Sequence, residues 1–189
     1  MSPSDPDLPP VELSATGRVV LGLIAFGKRT GYDIKTFVDK TTRYFWAASY
    51  GQIYPELKQL EERGLVLGRP EPSGGRARTV YELTEAGEAA LKAWLASGDE
   101  QLYELRDEGM LKLFFSDSLP EQRIEIVRAI RRREERALAH LRSIEPHARK
   151  GPTGSFLTLQ MGIGLMEWTL EWCEATERRL ATETEMEEE

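Results

Sequence analysis

The stretch from Trp46 to Leu83 constrains the fold more than any other part of the chain. It begins with an amphipathic helical pattern that contains Gly-Gln-Ile-Tyr-Pro and continues into two short segments with a strand pattern. A Gly-Gly-Arg-Ala-Arg segment separates the two strands, and paired glycines favour the tip of a hairpin. The order predicts a helix that is followed at once by a basic two-stranded ribbon.

The distribution of charge is more informative than the formal net charge of −7, which argues against a polyanionic partner. Residues 14–82 carry 11 Lys/Arg and 7 Asp/Glu, a net charge of +4, whereas the segment from Glu183 to Glu189 holds five Glu and no base. The acidic excess therefore lies mostly outside the helix and ribbon. A net charge of +4 is still a modest basic excess for a protein that binds nucleic acid.

Several classes of protein are disfavoured by what the sequence contains. Its 189 residues include a single cysteine, Cys173, so an internal disulfide is impossible. The two histidines, His140 and His147, have no spacing to cysteine that suits zinc, and no catalytic set or cofactor motif is visible. No apolar run is long enough to span a bilayer, and Met1 to Pro10 does not resemble a signal peptide. We expect a cytoplasmic protein that is not an enzyme, with no cofactor, metal or membrane partner.

Residues 13–98 are predicted to form a winged helix-turn-helix domain after a disordered segment, residues 1–12. The turn Thr41–Tyr50 is expected to carry the apolar anchors Tyr44, Phe45 and Trp46. The predicted elements are helices Leu13–Phe26, Thr30–Lys40 and Gly51–Arg63, strands Leu65–Arg69 and Thr79–Leu83, and a helix from Thr84 to about Ala96.

Residues 99–181 are predicted to form a helical dimerisation or effector domain, with an acidic disordered tail at 182–189. The expected helices are Leu102–Asp117, Pro120 to about Ile144, and Ser155–Leu180. The last helix has two apolar stripes, so it must be covered on two sides, by its own domain and by a second subunit. The stripe assigned to dimerisation is Phe156, Leu159, Ile163, Met166, Leu170 and Cys173, which Glu177 interrupts before Leu180.

Three groups of polar residues point to double-stranded DNA as a partner, because they occur in the order that a winged helix requires. Recognition helices read bases near their N-termini, and arginines two apart on a strand point the same way. The groups are Ser49, Gln52, Tyr54 and Lys58 on the third helix, Arg76 and Arg78 on the ribbon, and Tyr32 and Lys35 on the second helix. The alternatives are the wet face of a core helix, solubilising charges on a hairpin, and a helix start packed by Tyr32.

The same residues resemble the PadR family of bacterial transcriptional regulators. The resemblance covers nearly all of residues 14–95 and is carried by Gly31–Ile34, Phe45–Trp46, Gly51–Leu57, Gly64–Val66 and Tyr81–Gly87. Residues 108–119 resemble the longer members, which have a larger helical C-terminal domain. The resemblance implies a homodimer that binds a partly palindromic operator, usually as a repressor and often one that a small molecule releases. It maps DNA contacts onto Ser49, Gln52 and Tyr54 in the helix and onto Arg76 and Arg78 in the ribbon.

Two further groups carry alternatives. Trp168 and Trp172, with Met161 nearby, could line a pocket for a planar ligand, or they could pack in a dimer core. The basic run Arg131–Arg133 lies beside Glu134 and Glu135, which favours a solvated helix face over a DNA contact. For the whole chain, the alternative to a DNA-binding regulator is a winged-helix scaffold for protein–protein interaction without sequence-specific DNA binding.

Overall fold

The chain folds as two units, residues 1–101 and 102–189. The computed structural model describes residues 12–46, 49–72, 78–98 and 106–187. Within them the fold is mainly helical with one antiparallel two-stranded ribbon, as the sequence predicted. Among the described helices, none combines the length and the apolar composition that crossing a bilayer requires.

The first unit follows the predicted order of elements closely. The elements are α1 (Ala15–Ala25), α2 (Gly31–Lys40), α3 (Tyr50–Glu62), β1 (Val66–Glu71), β2 (Arg78–Leu83) and α4 (Glu85–Ala96). Ser14, Thr30 and Thr84 each cap a helix by accepting a hydrogen bond from a backbone N–H in its first turn. These caps start the helices where the sequence placed them.

The core of the first unit lies between α1, α2 and α3 and extends under the ribbon. The α3 residues Ile53, Leu57 and Leu60 are fully buried, so one face of this helix is fixed and the opposite face is exposed. Tyr81 and Leu83 of β2 pack against the same core. The ribbon therefore has a core-facing side and a solvent-facing side, as its alternating sequence requires.

The turn between α3 and β1 is locked by residues that start α4. Gly64 adopts a φ of 69°, and its carbonyl accepts a hydrogen bond from the Thr84 hydroxyl at 2.7 Å. The Thr84 N–H donates to the Leu65 carbonyl at 3.1 Å. A Cβ at Gly87 would lie 2.0 Å from that carbonyl oxygen, so only glycine allows α4 to approach the turn. This packing gives a physical reason for the Leu-Thr-x-x-Gly sequence.

One expectation for the first unit was wrong. Tyr44, Phe45 and Trp46, at the end of a short 3₁₀ turn (Thr42–Tyr44) and just after it, do not anchor the core, because their exposed fractions are 37%, 64% and 42%. At the end of the segment predicted to be disordered, residues 1–12, the Glu12 carbonyl accepts a hydrogen bond from Arg63 at 2.8 Å. Residues 1–11 lie outside the described residues.

The second unit contains α5 (Glu108–Phe114), α6 (Arg123–Ala148) and α7 (Thr153–Glu187). The helix predicted at residues 102–117 is shorter, because Asp107 caps α5 and a 3₁₀ turn follows at Ser116–Ser118. Residues 102–105 are outside the described part. Pro120 opens a second 3₁₀ turn rather than α6, which begins three residues later and continues past Ile144. The tail predicted to be disordered is helical as far as Glu187, so α7 is longer than the apolar periodicity indicated.

Most of the apolar stripe predicted for dimerisation is buried inside the second unit. Leu159, Ile163 and Met166 are at most 8% exposed and pack with Leu141 of α6, and Cys173 is fully buried with Val127 and Ile130. Phe156 and Leu170 are half-buried. This stripe forms the core of the unit itself and is not available to a second subunit. Burial also raises the pKa of the Cys173 thiol.

Ionic contacts explain why charged residues interrupt these apolar helices. Glu177, the break in the α7 stripe, lies 3.4 Å from both Arg128 and Arg131 of α6. Arg133 bonds to both carboxylate oxygens of Asp107, at 2.8 and 2.6 Å, and this contact holds the pKa of Asp107 below its usual range. The basic run on α6 therefore links α6 to α7 and to the start of α5, so it is more than a solvated face.

The close contact at Gly87 leads to a stability prediction. Gly87→Ala would force a methyl group onto the Leu65 carbonyl, and overpacking against backbone should cost about 3 kcal/mol or more. Urea denaturation followed by circular dichroism measures the effect. The matched control is Gly22→Ala in α1, where a Cβ meets nothing within 4 Å and helix propensity should add up to about 1 kcal/mol. Similar midpoints for the two variants would contradict this account of the turn.

Candidate nucleic-acid interface

The N-terminus of α3 is exposed, but its polar side chains bond to one another. The Gln52 side-chain oxygen accepts hydrogen bonds from the Ser49 N–H at 2.9 Å and from the Ser49 hydroxyl at 3.1 Å. This is the reciprocal half of a capping box. The side-chain oxygen of Gln52 therefore caps the start of α3 in this structure. A bidentate pair of hydrogen bonds from Gln52 to adenine would require the hydrogen bonds to Ser49 to break.

Tyr54 and Tyr32 lie at the surface where α2 meets α3. Tyr54 is half exposed, and its ring covers the start of α2 so closely that a Cβ at Gly31 would lie 2.7 Å from it. Tyr32 is 65% exposed, so the alternative in which Tyr32 packs the helix start is wrong. Tyr54 fills that place and still presents part of its ring to solvent.

The two predicted lysines differ in their availability to a polyanion. The Lys58 side chain is 78% exposed, and its ammonium lies 3.5 Å from Glu62 on the next turn of α3. The Lys35 side chain is only 15% exposed and is paired with Asp39 on α2. Lys58 is thus placed to meet phosphate, whereas the assignment of Lys35 to DNA is not supported by its position.

The ribbon holds its described arginines in ion pairs. The β1–β2 register sets Glu71 directly opposite Arg78, and the Arg78 Nε donates to the Glu71 carboxylate at 2.6 Å. Both side chains are about half exposed. Arg76, the other predicted ribbon contact, lies outside the described residues. An anion that binds Arg78 must therefore compete with Glu71.

A second ionic group on the ribbon was not found from the sequence. Glu82 of β2 lies 3.1 Å from Arg29, which precedes α2, and 3.9 Å from Arg69 of β1. The Arg29 carbonyl accepts a hydrogen bond from the Tyr81 N–H, which brings that segment beside β2. The alternation along the strands could have placed Arg69 and Glu82 on the solvent side of the ribbon. Pairing them also required the strand register, which the sequence of the turn-rich tip does not determine.

The residues proposed for a ligand pocket do not gather around a cavity. Met161 and Trp168 are 74% and 61% exposed on α7, whereas Trp172 packs against the buried cluster around Val127. Two apolar depressions lie instead around α5, one of them lined by Asp107, Met110, Leu111, Leu113 and Phe114. Within the described ranges, no group of His, Cys, Asp and Glu could hold a metal ion.

Family models match both units of the chain. Residues 20–93 match the transcriptional regulator PadR-like family, and residues 105–181 match the model described as virulence activator alpha C-term. In sequence, the chain is 36% identical over 104 residues to the negative transcriptional regulator PadR of Bacillus subtilis. That alignment covers 54% of this chain and 57% of the relative, so the chain spans just over half the length of a curated relative that it matches.

Solved structures extend the likeness to most of the chain. The crystal structure of Bacillus subtilis PadR in complex with operator DNA has a TM-score of 0.80 at 25% identity, covering 89% of this chain and 99% of that one. The same protein in complex with p-coumaric acid has a TM-score of 0.69 at 23% identity, covering 90% and 99%, and this match shows the shared fold. The family matched by the first unit and the Bacillus subtilis relative are transcriptional regulators.

The capping role of Gln52 leads to a second stability prediction. Gln52→Ala removes the acceptor for the Ser49 N–H and should lower the free energy of unfolding by about 1 kcal/mol. Gln52→Glu keeps an acceptor at this position and adds a favourable charge near the helix N-terminus, so it should retain the stability of the unchanged chain. Thermal denaturation measures both. If Gln52→Glu were as unstable as Gln52→Ala, the capping role would be wrong.

Proposed function

Because residues 20–93 match the PadR-like family model of transcriptional regulators, we propose that this chain regulates transcription by binding a specific DNA operator through α3 and the ribbon. The observation that carries the proposal is the exposed face of α3, with Tyr54 and Lys58, on the element that leads directly into an arginine-bearing ribbon. The relative of the same fold that was solved with operator DNA supports DNA as the partner.

The chemistry of the surface favours moderate, selective binding over general attraction to DNA. Lys58, Arg78, Arg69 and Arg29 supply cations, and Glu62, Glu71 and Glu82 each hold one or two of them. A phosphate gains less when it must displace a carboxylate than when it meets a free guanidinium. We expect weak binding to random sequence, because phosphate contacts dominate that mode, and tighter binding where bases add contacts.

The most direct test of the function is selection of bound sequences from random DNA with the purified full chain. The proposal expects enrichment of a partly palindromic motif. Recognition helices of a dimeric helix-turn-helix protein lie about 34 Å apart, so the half-site centres should be about one turn of the duplex apart. A failure to enrich any sequence would contradict the proposal and would favour the alternative, a winged-helix scaffold for protein partners.

We also propose that the regulator acts as a homodimer through the exposed apolar side of α7, in place of the stripe that is buried against α6. The exposed apolar side chains on this helix are Leu157, Met161, Leu165 and Trp168, with exposed fractions of 58%, 74%, 50% and 61%. Their spacings of four, four and three residues place them along one side of the helix. A contiguous apolar strip of this kind is typical of a protein–protein contact, and a second copy of the chain gives the two-fold symmetry that a palindromic operator requires.

Repression, release by a small molecule and a cytoplasmic location complete the proposal. Repression is supported by the Bacillus subtilis relative, which is a negative transcriptional regulator. The second unit, in contrast, matches the C-terminal part of a virulence activator. An aromatic acid binds that relative, and the depression lined by Met110, Leu111 and Phe114 is an apolar surface that suits such a ring. A regulator of genomic DNA in a bacterium works in the cytoplasm.

A change in the salt dependence of binding tests the ribbon contacts. Arg76→Ala combined with Arg78→Ala should reduce the slope of log affinity against log salt by up to about two units, since each lost phosphate contact removes nearly one. The matched control is Arg132→Ala with Arg136→Ala, which removes two exposed arginines from α6 and should leave the slope unchanged. Fluorescence anisotropy on the selected duplex gives the slopes. Equal slopes for the two variants would remove the ribbon from the DNA surface.

The revised dimer interface has its own test. Met161→Asp with Leu165→Asp puts two charges on the exposed α7 strip and should give a monomer with unchanged helix content. Light scattering after size-exclusion chromatography measures the mass, and circular dichroism measures the helix content. Gln160→Asp, an exposed neighbour on another side of α7, is the control and should remain dimeric. A dimer that persists in the double variant would show that the strip is not the interface.

A further inference from the structure

One hydrogen bond joins the recognition helix directly to the ribbon. The Glu61 carboxylate, in the last turn of α3, accepts a hydrogen bond from the Gly68 N–H in the middle of β1 at 3.1 Å. Gly68 pairs with Tyr81 across the ribbon. The contact therefore fixes the ribbon to α3 at a point well beyond the turn that connects them.

The space around Gly68 shows how closely the two elements meet. A Cβ at this position would lie 2.6 Å from the Glu61 carboxylate, 3.0 Å from the Tyr81 ring and 3.0 Å from the Thr79 methyl group. Burial raises the pKa of the Tyr81 hydroxyl, and the nearby Glu61 charge adds to the effect. Glycine is thus the residue that lets the carboxylate, the ring and the strand backbone converge.

The charge of Glu61 is unfavourable for a surface that meets DNA. Glu61 follows Lys58 by three residues and Tyr54 by seven, so it shares the side of α3 that they occupy. Within the described part of the chain, Glu61 makes no ion pair with a lysine or arginine, unlike Glu62, which pairs with Lys58. The negative charge of Glu61 would not favour DNA binding, but the hydrogen bond from Gly68 gives its carboxylate a structural role.

The geometry of the ribbon shows why a second attachment matters. The six residues of β1 span about 20 Å at the usual rise of a strand. A rotation of about 10° at the base would move the far end by roughly 3 Å, which is more than a hydrogen bond to phosphate tolerates. The turn contacts of Thr84 fix only the base, and Glu61 holds the strand further along.

We propose that Glu61 is a positioning residue for DNA binding: by holding Gly68, it sets the angle between α3 and the ribbon so that both engage one duplex. This role rests on the proposed function. It predicts that the hydrogen-bond acceptor at residue 61 is required and that the negative charge is not. Glu61→Gln keeps the acceptor, Glu61→Ala removes it, and Glu62→Ala is the control that removes a neighbouring charge without touching the ribbon.

The first measurement uses the full chain without DNA. Amide hydrogen exchange at Gly68 should be about tenfold faster in Glu61→Ala than in the unchanged chain, because the donor loses its partner. Exchange in Glu61→Gln and Glu62→Ala should match the unchanged chain. Unchanged exchange at Gly68 in Glu61→Ala would overturn the contact itself, whatever the protein does with DNA.

The second measurement uses the duplex that the unchanged chain enriches from random DNA. Glu61→Ala should lower the salt slope by about one to two units, as loss of the ribbon arginines does, and should add no further loss to Arg76→Ala with Arg78→Ala. Glu61→Gln should keep the slope. A loss in Glu61→Gln as large as in Glu61→Ala, or a full loss in the background without ribbon arginines, would overturn the positioning role. An unchanged chain that binds no duplex would overturn the proposed function, while the Gly68 exchange result still decides the contact.

Discussion

The turn between α3 and β1 is the constraint on which the first unit depends. Three residues join α3 to the ribbon, and their path is set by Thr84, which bonds to Gly64 and Leu65, and by Gly87, which lets α4 lie against Leu65. These contacts fix the base of the ribbon relative to α3, and the hydrogen bond from Gly68 to Glu61 holds β1 further along. A helix and a strand that must meet one rigid partner need this kind of fixed geometry, because small errors at the base become large at the tip.

The lysine and arginine side chains of the candidate interface are paired with carboxylates, which lowers the positive charge of this surface. Arg78, Arg69 and Arg29 each have a carboxylate within 4 Å, and Lys58 has Glu62 on the next turn. Surface pairs of this kind add little to stability, so their main physical effect is on how the surface meets another charged molecule. They fit the proposed role of a regulator with net charge −7 that selects one site among many similar ones, because attraction to any phosphate backbone is reduced.

The sequence predicted the first unit well because local chemistry decides most of its boundaries. Ser14, Thr30 and Thr84 are capping residues, Gly64 ends α3 in a left-handed turn, and the alternation along β2 gives its buried side. The pairing of Arg78 with Glu71 was not predictable, because the strand register depends on a tip whose length the sequence leaves open. The Gln52 amide looked like a base reader, although a polar residue three after Ser49 also fits a capping box.

The final helix shows a limit of periodicity. Two apolar stripes were visible, but spacing alone does not say which one faces the chain's own α6. The buried stripe includes Leu159, Ile163 and Cys173, and the exposed one includes Met161 and Trp168, so the clearer period marks the internal core. Beyond Leu180 the apolar pattern stops while the helix continues to Glu187, because backbone hydrogen bonds do not require an apolar face. The prediction that Tyr44, Phe45 and Trp46 anchor the core was wrong for a similar reason, since aromatic character alone does not ensure burial.

We propose that α3 and the ribbon together form the surface that meets duplex DNA. Hydrogen exchange of the full chain, measured by mass spectrometry with and without saturating selected duplex, is the experiment that separates this surface from the rest of the chain. Exchange should slow in the first half of α3 and along β1 and β2 in the same complex. Slower exchange confined to α6 and α7, or in α3 without the ribbon, would contradict it.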